Sequence, residues 1–123
     1  MSADHLRSGQ RAEAIGCAWL RAQGLQLLHT NFLCRFGELD LIMRDGNCLV
    51  IVEVRYRHSR HYGGAIATIT PSKQQRIGRA TQHFLQQHPQ LKRLALRFDV
   101  LALSGELADP DIDWRKQAFV FGG

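Results

Sequence analysis

Two runs of strand-forming residues, Phe36 to Met43 and Cys48 to Arg57, flank Asp45-Gly46-Asn47, and this arrangement constrains the fold more than any other feature of the chain. Glycine and asparagine tolerate the positive φ that tight hairpin turns demand, so the two runs are expected to lie side by side as antiparallel strands. A two-residue loop at Gly46-Asn47 pairs Asp45 with Cys48 and, counting outward, sets Asp40 opposite Glu53 and Glu38 opposite Arg55. Strand side chains alternate between faces, which puts Glu38, Asp40, Glu53 and Arg55 on one face and Leu39, Leu41, Val52 and Val54 on the other. A register shifted by two residues keeps the four charged groups together.

The rest of the chain builds around this hairpin. A helical pattern runs from about Asp4 to Gln23 with Gly24 as its stop, and Leu25 to Leu33 has strand-like content. After a loop around Tyr62-Gly63-Gly64, a second helix is expected from Thr70-Pro71, threonine as N-cap and proline at the first helical position, ending by His88-Pro89. Leu94 to Leu103 reads as a strand, Ser104 to Asp111 as a polar loop, and Trp114 to Phe121 as a last short strand. Helix, three strands, helix, then one or two strands is the order of an α/β domain with a mixed sheet. No repeat or Pro/Gly/Ser-rich linker divides the 123 residues, so one domain spanning 1–123 is expected.

Composition narrows the setting. Hydrophobic residues at 45% and charged residues at 22% place the chain with folded globular domains rather than disordered ones. The longest apolar run, Cys48 to Val52, is far too short to span a bilayer, and the N-terminus lacks an apolar signal core, so neither membrane insertion nor export is expected. Cys17, Cys34 and Cys48 are odd in number and lack C-x-x-C spacing, which suits reduced thiols in the cytoplasm. Sixteen Lys and Arg against eleven Asp and Glu give a net charge of +5, a balance that attracts polyanions but is also carried by proteins that bind none.

The hairpin's charged face admits two readings. Like charges directly opposite one another cost tenths to about 1 kcal/mol, a cost that a hard divalent cation held between Asp40 and Glu53 removes, since Mg²⁺ prefers carboxylate and phosphate oxygens. In the other reading, Glu38, Asp40, Glu53 and Arg55 form an ordinary ion-pair ladder on a solvated face. The first helix bears on the choice. At about 100° per residue, Glu13 lies within a stripe of Leu6, Gly9, Gly16, Cys17 and Leu20, opposite Arg7, Arg11 and Arg21. A carboxylate on such a face needs a partner, and glycines there let the helix approach the sheet and bring Glu13 to the strand acids or to Arg55.

On the second helix Lys73 shares a face with Ile77, Ala80 and Phe84, and either reaches inward or lies along the surface as a snorkelling lysine. The helix start at Ser72-Lys73 also presents backbone N–H groups suited to phosphate. Arg55, Arg57, Arg60, Lys73, Arg76 and Arg79, interleaved with Tyr56, His58, His61 and Tyr62, are the densest basic and aromatic stretch. They suit a phosphate backbone or form a solvated charged surface. The histidines lack the spacing of a structural zinc site.

Five segments agree in order and spacing with a known group. Gly9 to Ala18 with Glu13, Asn31-Phe32 to Phe36-Gly37-Glu38-Leu39-Asp40-Leu41-Ile42, Val52-Glu53-Val54-Arg55-Tyr56-Arg57, Lys73 to Ala80, and Arg97-Phe98-Asp99-Val100 resemble the bacterial YraN family. That family is similar in fold to Holliday-junction resolvases and other PD-(D/E)xK nucleases. The resemblance implies a restriction-endonuclease-like three-layer fold, a central mixed sheet flanked by helices. It also implies a nucleic-acid partner, DNA foremost, Mg²⁺ or Mn²⁺ as cofactor, and by analogy with resolvases a homodimer. Asp40 and Glu53 stand at the positions of the metal-binding acids, and Glu13 at that of the helical glutamate of the resolvase branch. Arg55 occupies the position of the motif lysine. Arginine keeps its proton near neutral pH and cannot act as a base, so its expected part is to orient phosphate or stabilise charge, with Lys73 as a second source of an amine. A metal-dependent endonuclease, a nucleic-acid-binding module without catalysis, and a protein-interaction domain all stay open at this point.

Overall fold

The computed structural model describes residues 3–59 and 67–122, with side chains from residue 7 onward. Helix α1 (Ala3–Ala22) precedes strands β1 (Gln26–Cys34), β2 (Gly37–Asp45) and β3 (Cys48–Arg57); α2 (Pro71–Gln87) and a 3₁₀ turn (Pro89–Leu91) lead to β4 (Ala95–Ser104) and β5 (Asp111–Phe119). The last strand starts three residues before the expected Trp114. The helix ends match the sequence signals. Gly24, at φ +102°, closes α1 with the Leu25 N–H on the Leu20 carbonyl and the Gly24 N–H on the Arg21 carbonyl, the paired bonds of a glycine-terminated helix. At α2 the Thr70 side chain accepts from the Lys73 N–H at 3.3 Å, and Pro71 opens the helix.

The five strands lie in chain order, antiparallel except for the parallel pair β3 and β4 that α2 connects. This is a mixed sheet with a helix on each face, a three-layer α/β architecture. The central run of β3 shows how the sequence specifies it. Leu49 and Ile51 enter the core beneath α2, with Ile77, Ala80 and Phe84, while Val50 and Val52 enter the core beneath α1, with Ala12 and Leu20. A strand covered on both faces is apolar at every position, and each such side chain removed from water contributes about 1.5–3 kcal/mol. Among the described residues no helix is long and apolar enough to cross a membrane.

Close approach of α1 rests on one glycine. A Cβ at Gly16 would lie 2.8 Å from Leu101 Cδ2, whereas Gly9 has open space around it, so of the two expected glycines only Gly16 brings helix and sheet together. Leu6 has no described side chain.

The hairpin register is the expected one, from Asp45 opposite Cys48 to Leu41 opposite Val52. The expected alternation fails at its open end. Leu39 packs in the α2-side core and Leu41 in the α1-side core, although residues two apart on a regular strand share a face. The interruption falls at Asp40, where side chains replace the ladder: the Asp40 N–H donates to Glu53 Oε2 at 3.4 Å and the Val54 N–H to Asp40 Oδ2 at 2.8 Å.

A second irregularity lies between β4 and β5, where the register shifts between Phe98 and Val100 and Gln117 adopts φ 50°. Asp99, fully buried, sits in this shift. Its carboxylate accepts from Arg97 Nε and Nη2, Trp114 Nε1 and the Gln117 N–H at 2.9–3.0 Å.

Candidate functional site

The site forms where β2 and β3 part. Across the gap Glu53 accepts from the Asp40 N–H and Asp40 accepts from the Val54 N–H, and Arg55, next on the same face of β3, spans both acids: Nη1 lies 3.6 Å from Asp40 Oδ2 and Nη2 lies 3.5 Å from Glu53 Oε1. Nη1 also donates to the Val54 carbonyl and Nε to Thr68 Oγ1. The expected pairing of Glu38 with Arg55 is not formed, because the break at Asp40 turns the end of β2 away from β3 and towards β1. Glu38 Oε1 instead accepts from Asn31 Nδ2 at 3.2 Å, and the same amide reaches Glu13 Oε2 at 3.0 Å.

Asn31 thus joins helix to sheet. The β1–β2 register passes from Thr30 opposite Leu41 to Phe32 opposite Leu39, which sets Asn31 across from Asp40. Its backbone is left-handed, φ 50°, a conformation that asparagine tolerates better than most residues. Glu13, delivered by the helix that Gly16 seats, completes a group in which one carboxylate oxygen each of Glu13, Glu38 and Asp40 lies within 4.8 Å of the others. Sequence reasoning did not single out Asn31, and it gave Glu38 an ion pair rather than a place in this group. An asparagine inside an otherwise strand-like run was the available signal, since strands are depleted in it.

Charge is unevenly balanced here. Glu53 is only 4% exposed; burial, and then the neighbouring Asp40 charge, push its carboxyl up to about 8 despite Arg55. Burial also raises Asp40 to about 6, with Glu13 and Glu38 adding to the rise and the Val54 N–H and Arg55 opposing it. Near neutral pH the Asp40–Glu53 pair therefore retains proton density that belongs to both groups. Four carboxylates gather here, and the one guanidinium pairs with only two of them, Asp40 and Glu53; a donor set made only of carboxylate oxygens suits Mg²⁺ or Mn²⁺ rather than a thiophilic metal.

Beside the acids opens a cleft of about 170 Å³ lined by Phe36, Glu38, Glu53, Arg55, Lys73 and Arg76. It is smaller than the roughly 300–1,000 Å³ of drug-sized ligand pockets and fits a phosphate or one planar ring. Lys73, half-buried in the first turn of α2, lines this cleft, and the exposed Arg76 lines it beside Lys73. Arg57, two residues beyond Arg55, is exposed at the strand end, and Arg60, with His61 and Tyr62, lies outside the described residues. The three cysteines are free, and burial raises the Cys17 and Cys48 thiols above their ordinary value.

Fold and site together define a three-layer α/β protein with a carboxylate group open to a basic cleft. A model of the "Uncharacterised protein family UPF0102" matches residues 12–103, and the chain belongs to this family. It is 48% identical over 121 residues to a UPF0102 protein of Alkalilimnicola ehrlichii, covering 98% of this chain and 93% of the relative. A UPF0102 protein of Nitrosococcus oceani is 44% identical over 117 residues, covering 95% and 94%. One from Pseudomonas aeruginosa is 44% identical over 113 residues, covering 90% of each chain.

Proposed function

We propose that this chain is a cytoplasmic, restriction-endonuclease-like protein that binds nucleic acid, DNA foremost, and hydrolyses its backbone with Mg²⁺ or Mn²⁺. The observation that carries this reading is the position of the Glu13, Glu38 and Asp40 oxygens, within 4.8 Å of one another, directly beside a cleft furnished with Arg55, Lys73 and Arg76. Acids in such a group hold a hard cation and adjacent bases hold the phosphate it acts on. When bound, the cation supplies Lewis-acid polarisation of a phosphoryl oxygen and a more acidic water.

The chain's own residues prepare that chemistry. Asp40 is central, flanked by Glu38 and by Glu13, which Asn31 orients. Glu53 fixes the Asp40 backbone and brings a further carboxylate to the cleft wall. Lys73 and Arg76 neutralise and position phosphate, and Arg55 steadies Asp40 and Glu53 while adding positive charge at the cleft. Cutting both strands of a duplex or junction takes two such sites, which a homodimer supplies.

One observation favours a second reading, binding without turnover: Arg55 is already engaged by both acids. A single experiment separates the two. Duplex, single-stranded and four-way-junction DNA and RNA are titrated with salt and assayed for cleavage in Mg²⁺, Mn²⁺ or EDTA, wild type against Asp40→Asn. The expected result is metal-dependent cleavage reduced on the order of 100-fold or more in the variant, with binding kept. Salt-sensitive binding without cleavage by wild type selects the second reading, and cleavage that persists in Asp40→Asn removes the assigned site.

A further inference from the structure

The cleft contains an aromatic ring that phosphate chemistry does not need. Phe36 occupies the turn between β1 and β2, half-buried, with one part of its ring anchored in the α2-side core and its centroid 6.3 Å from the His83 ring. The exposed Arg35 guanidinium lies over the ring at 4.7 Å. Phe36 and the cations Lys73 and Arg76 line one cavity, and Glu38 belongs both to that cavity and to the acidic group. Stacking surface, phosphate partners and carboxylates are therefore within one nucleotide's reach of each other.

We propose that this cleft seats the base of a single unpaired nucleotide next to the acidic group, stacked on Phe36, with its phosphate at the cleft mouth against Lys73 and the exposed Arg76, so that the substrate is single-stranded or carries an unpaired segment. This rests on the nucleic-acid reading given above and names its substrate class. Bases inside a duplex are stacked on each other and present only their edges, so a ring recessed in a cleft meets a base only where pairing is broken. The base stacks on the part of the Phe36 ring that lines the cleft, and the Arg35 guanidinium, already 4.7 Å from the ring centroid on an exposed side chain, swings against the base; Arg adds cation–π attraction to such a stack. Because every base has a π-face, the seat is tolerant of sequence. A rigid aromatic anchored in the core is already ordered before the base arrives, which lowers the cost of binding.

The test uses the full chain in EDTA, so that binding is read without cleavage. Labelled oligonucleotides of one length are compared as single strand, blunt duplex and duplex with a single-stranded tail, and a 2-aminopurine base in the single strand reports stacking by loss of fluorescence. Single-stranded and tailed DNA are expected to bind about ten-fold tighter than blunt duplex, and Phe36→Leu to lose on the order of ten-fold on these two alone. The wild type quenches 2-aminopurine and the variant does not. Thermal unfolding checks that Phe36→Leu folds; should it not, Arg35→Ala, a change at an exposed side chain, still tests the stack by weakening single-strand binding several-fold without altering duplex binding. Equal affinity for blunt duplex and single strand, or unchanged discrimination in both variants, overturns the proposal. Asp40-dependent cleavage of fully paired duplex in the same preparations leaves the proposed function standing while this substrate assignment falls, whereas binding to no nucleic acid overturns both.

Discussion

The sheet carries inward-facing carboxylates at two irregular points, and they are built in opposite ways. Asp99, between β4 and β5, is fully buried and saturated, receiving two bonds from Arg97, one from Trp114 and one from the Gln117 backbone. Arg97 is tied in turn to Asp45 on β2. Asp40 and Glu53, between β2 and β3, receive one backbone N–H each and share a single guanidinium, while Glu13 presses further negative charge on both and Glu38 on Asp40. In both places side chains stand in for missing ladder bonds. At Asp99 donors match acceptors, and the result is a structural tie. At Asp40 the charges do not balance. Burial of an acid therefore does not by itself distinguish the two places; the count of donors around it does.

The sharpest way to break this comparison is to neutralise one acid of each kind. Asp99→Asn leaves Arg97 half-matched inside the sheet and is expected to cost roughly 3–5 kcal/mol in urea unfolding. Asp40→Asn keeps an oxygen for the Val54 N–H and relieves repulsion, so its stability should lie within about 1 kcal/mol of wild type or above it. Equal losses would erase the distinction. A smaller effect concerns pH. Glu53 is raised in the folded protein to about 8 from an ordinary value of 4.5, so between those values the folded state holds a proton that the unfolded state has released. Its contribution to stability is full below that window and is lost as pH rises through it. Urea midpoints measured across the window should carry this downward trend, Glu53→Gln should flatten it, and Mg²⁺ should restore most stability at its alkaline end, where no proton competes. A slope unaltered by Glu53→Gln would contradict the assignment. The smallest effect is expected at the exposed Arg76: Arg76→Ala should leave stability within about 0.5 kcal/mol and reduce the logarithmic salt slope of DNA binding by about 1.

The sequence made the frame of this site legible because local signals decide it. Asp45-Gly46-Asn47 set the hairpin register, Gly24 stopped α1, and Thr70-Pro71 opened α2, each through the conformational preference of one or two residues. Glu13, Asp40, Glu53 and Arg55 were found by their placement on those elements. The end of β2 was not legible. Glu38-Leu39-Asp40-Leu41 alternates perfectly on paper, and only the capture of strand N–H groups by Asp40 and Glu53 makes Leu39 and Leu41 face opposite ways. That is a tertiary effect between residues far apart in sequence, as is the contact of Asn31 with Glu13. Phe36 gave no signal of its own, because a lone aromatic at a turn carries no period.

The seat of α1 has a consequence for the newly synthesised chain. Glu13 is made well before β4, yet Gly16, less than one turn beyond it, rests on Leu101 and Leu103 of that strand. Until the ribosome has passed β4 the helix has no complete bed, and Glu13 cannot be held against Glu38 and Asp40. The acidic group is thus assembled only after β4 has been made, so a chain cut short before that strand carries Glu13, Glu38 and Asp40 without holding them together.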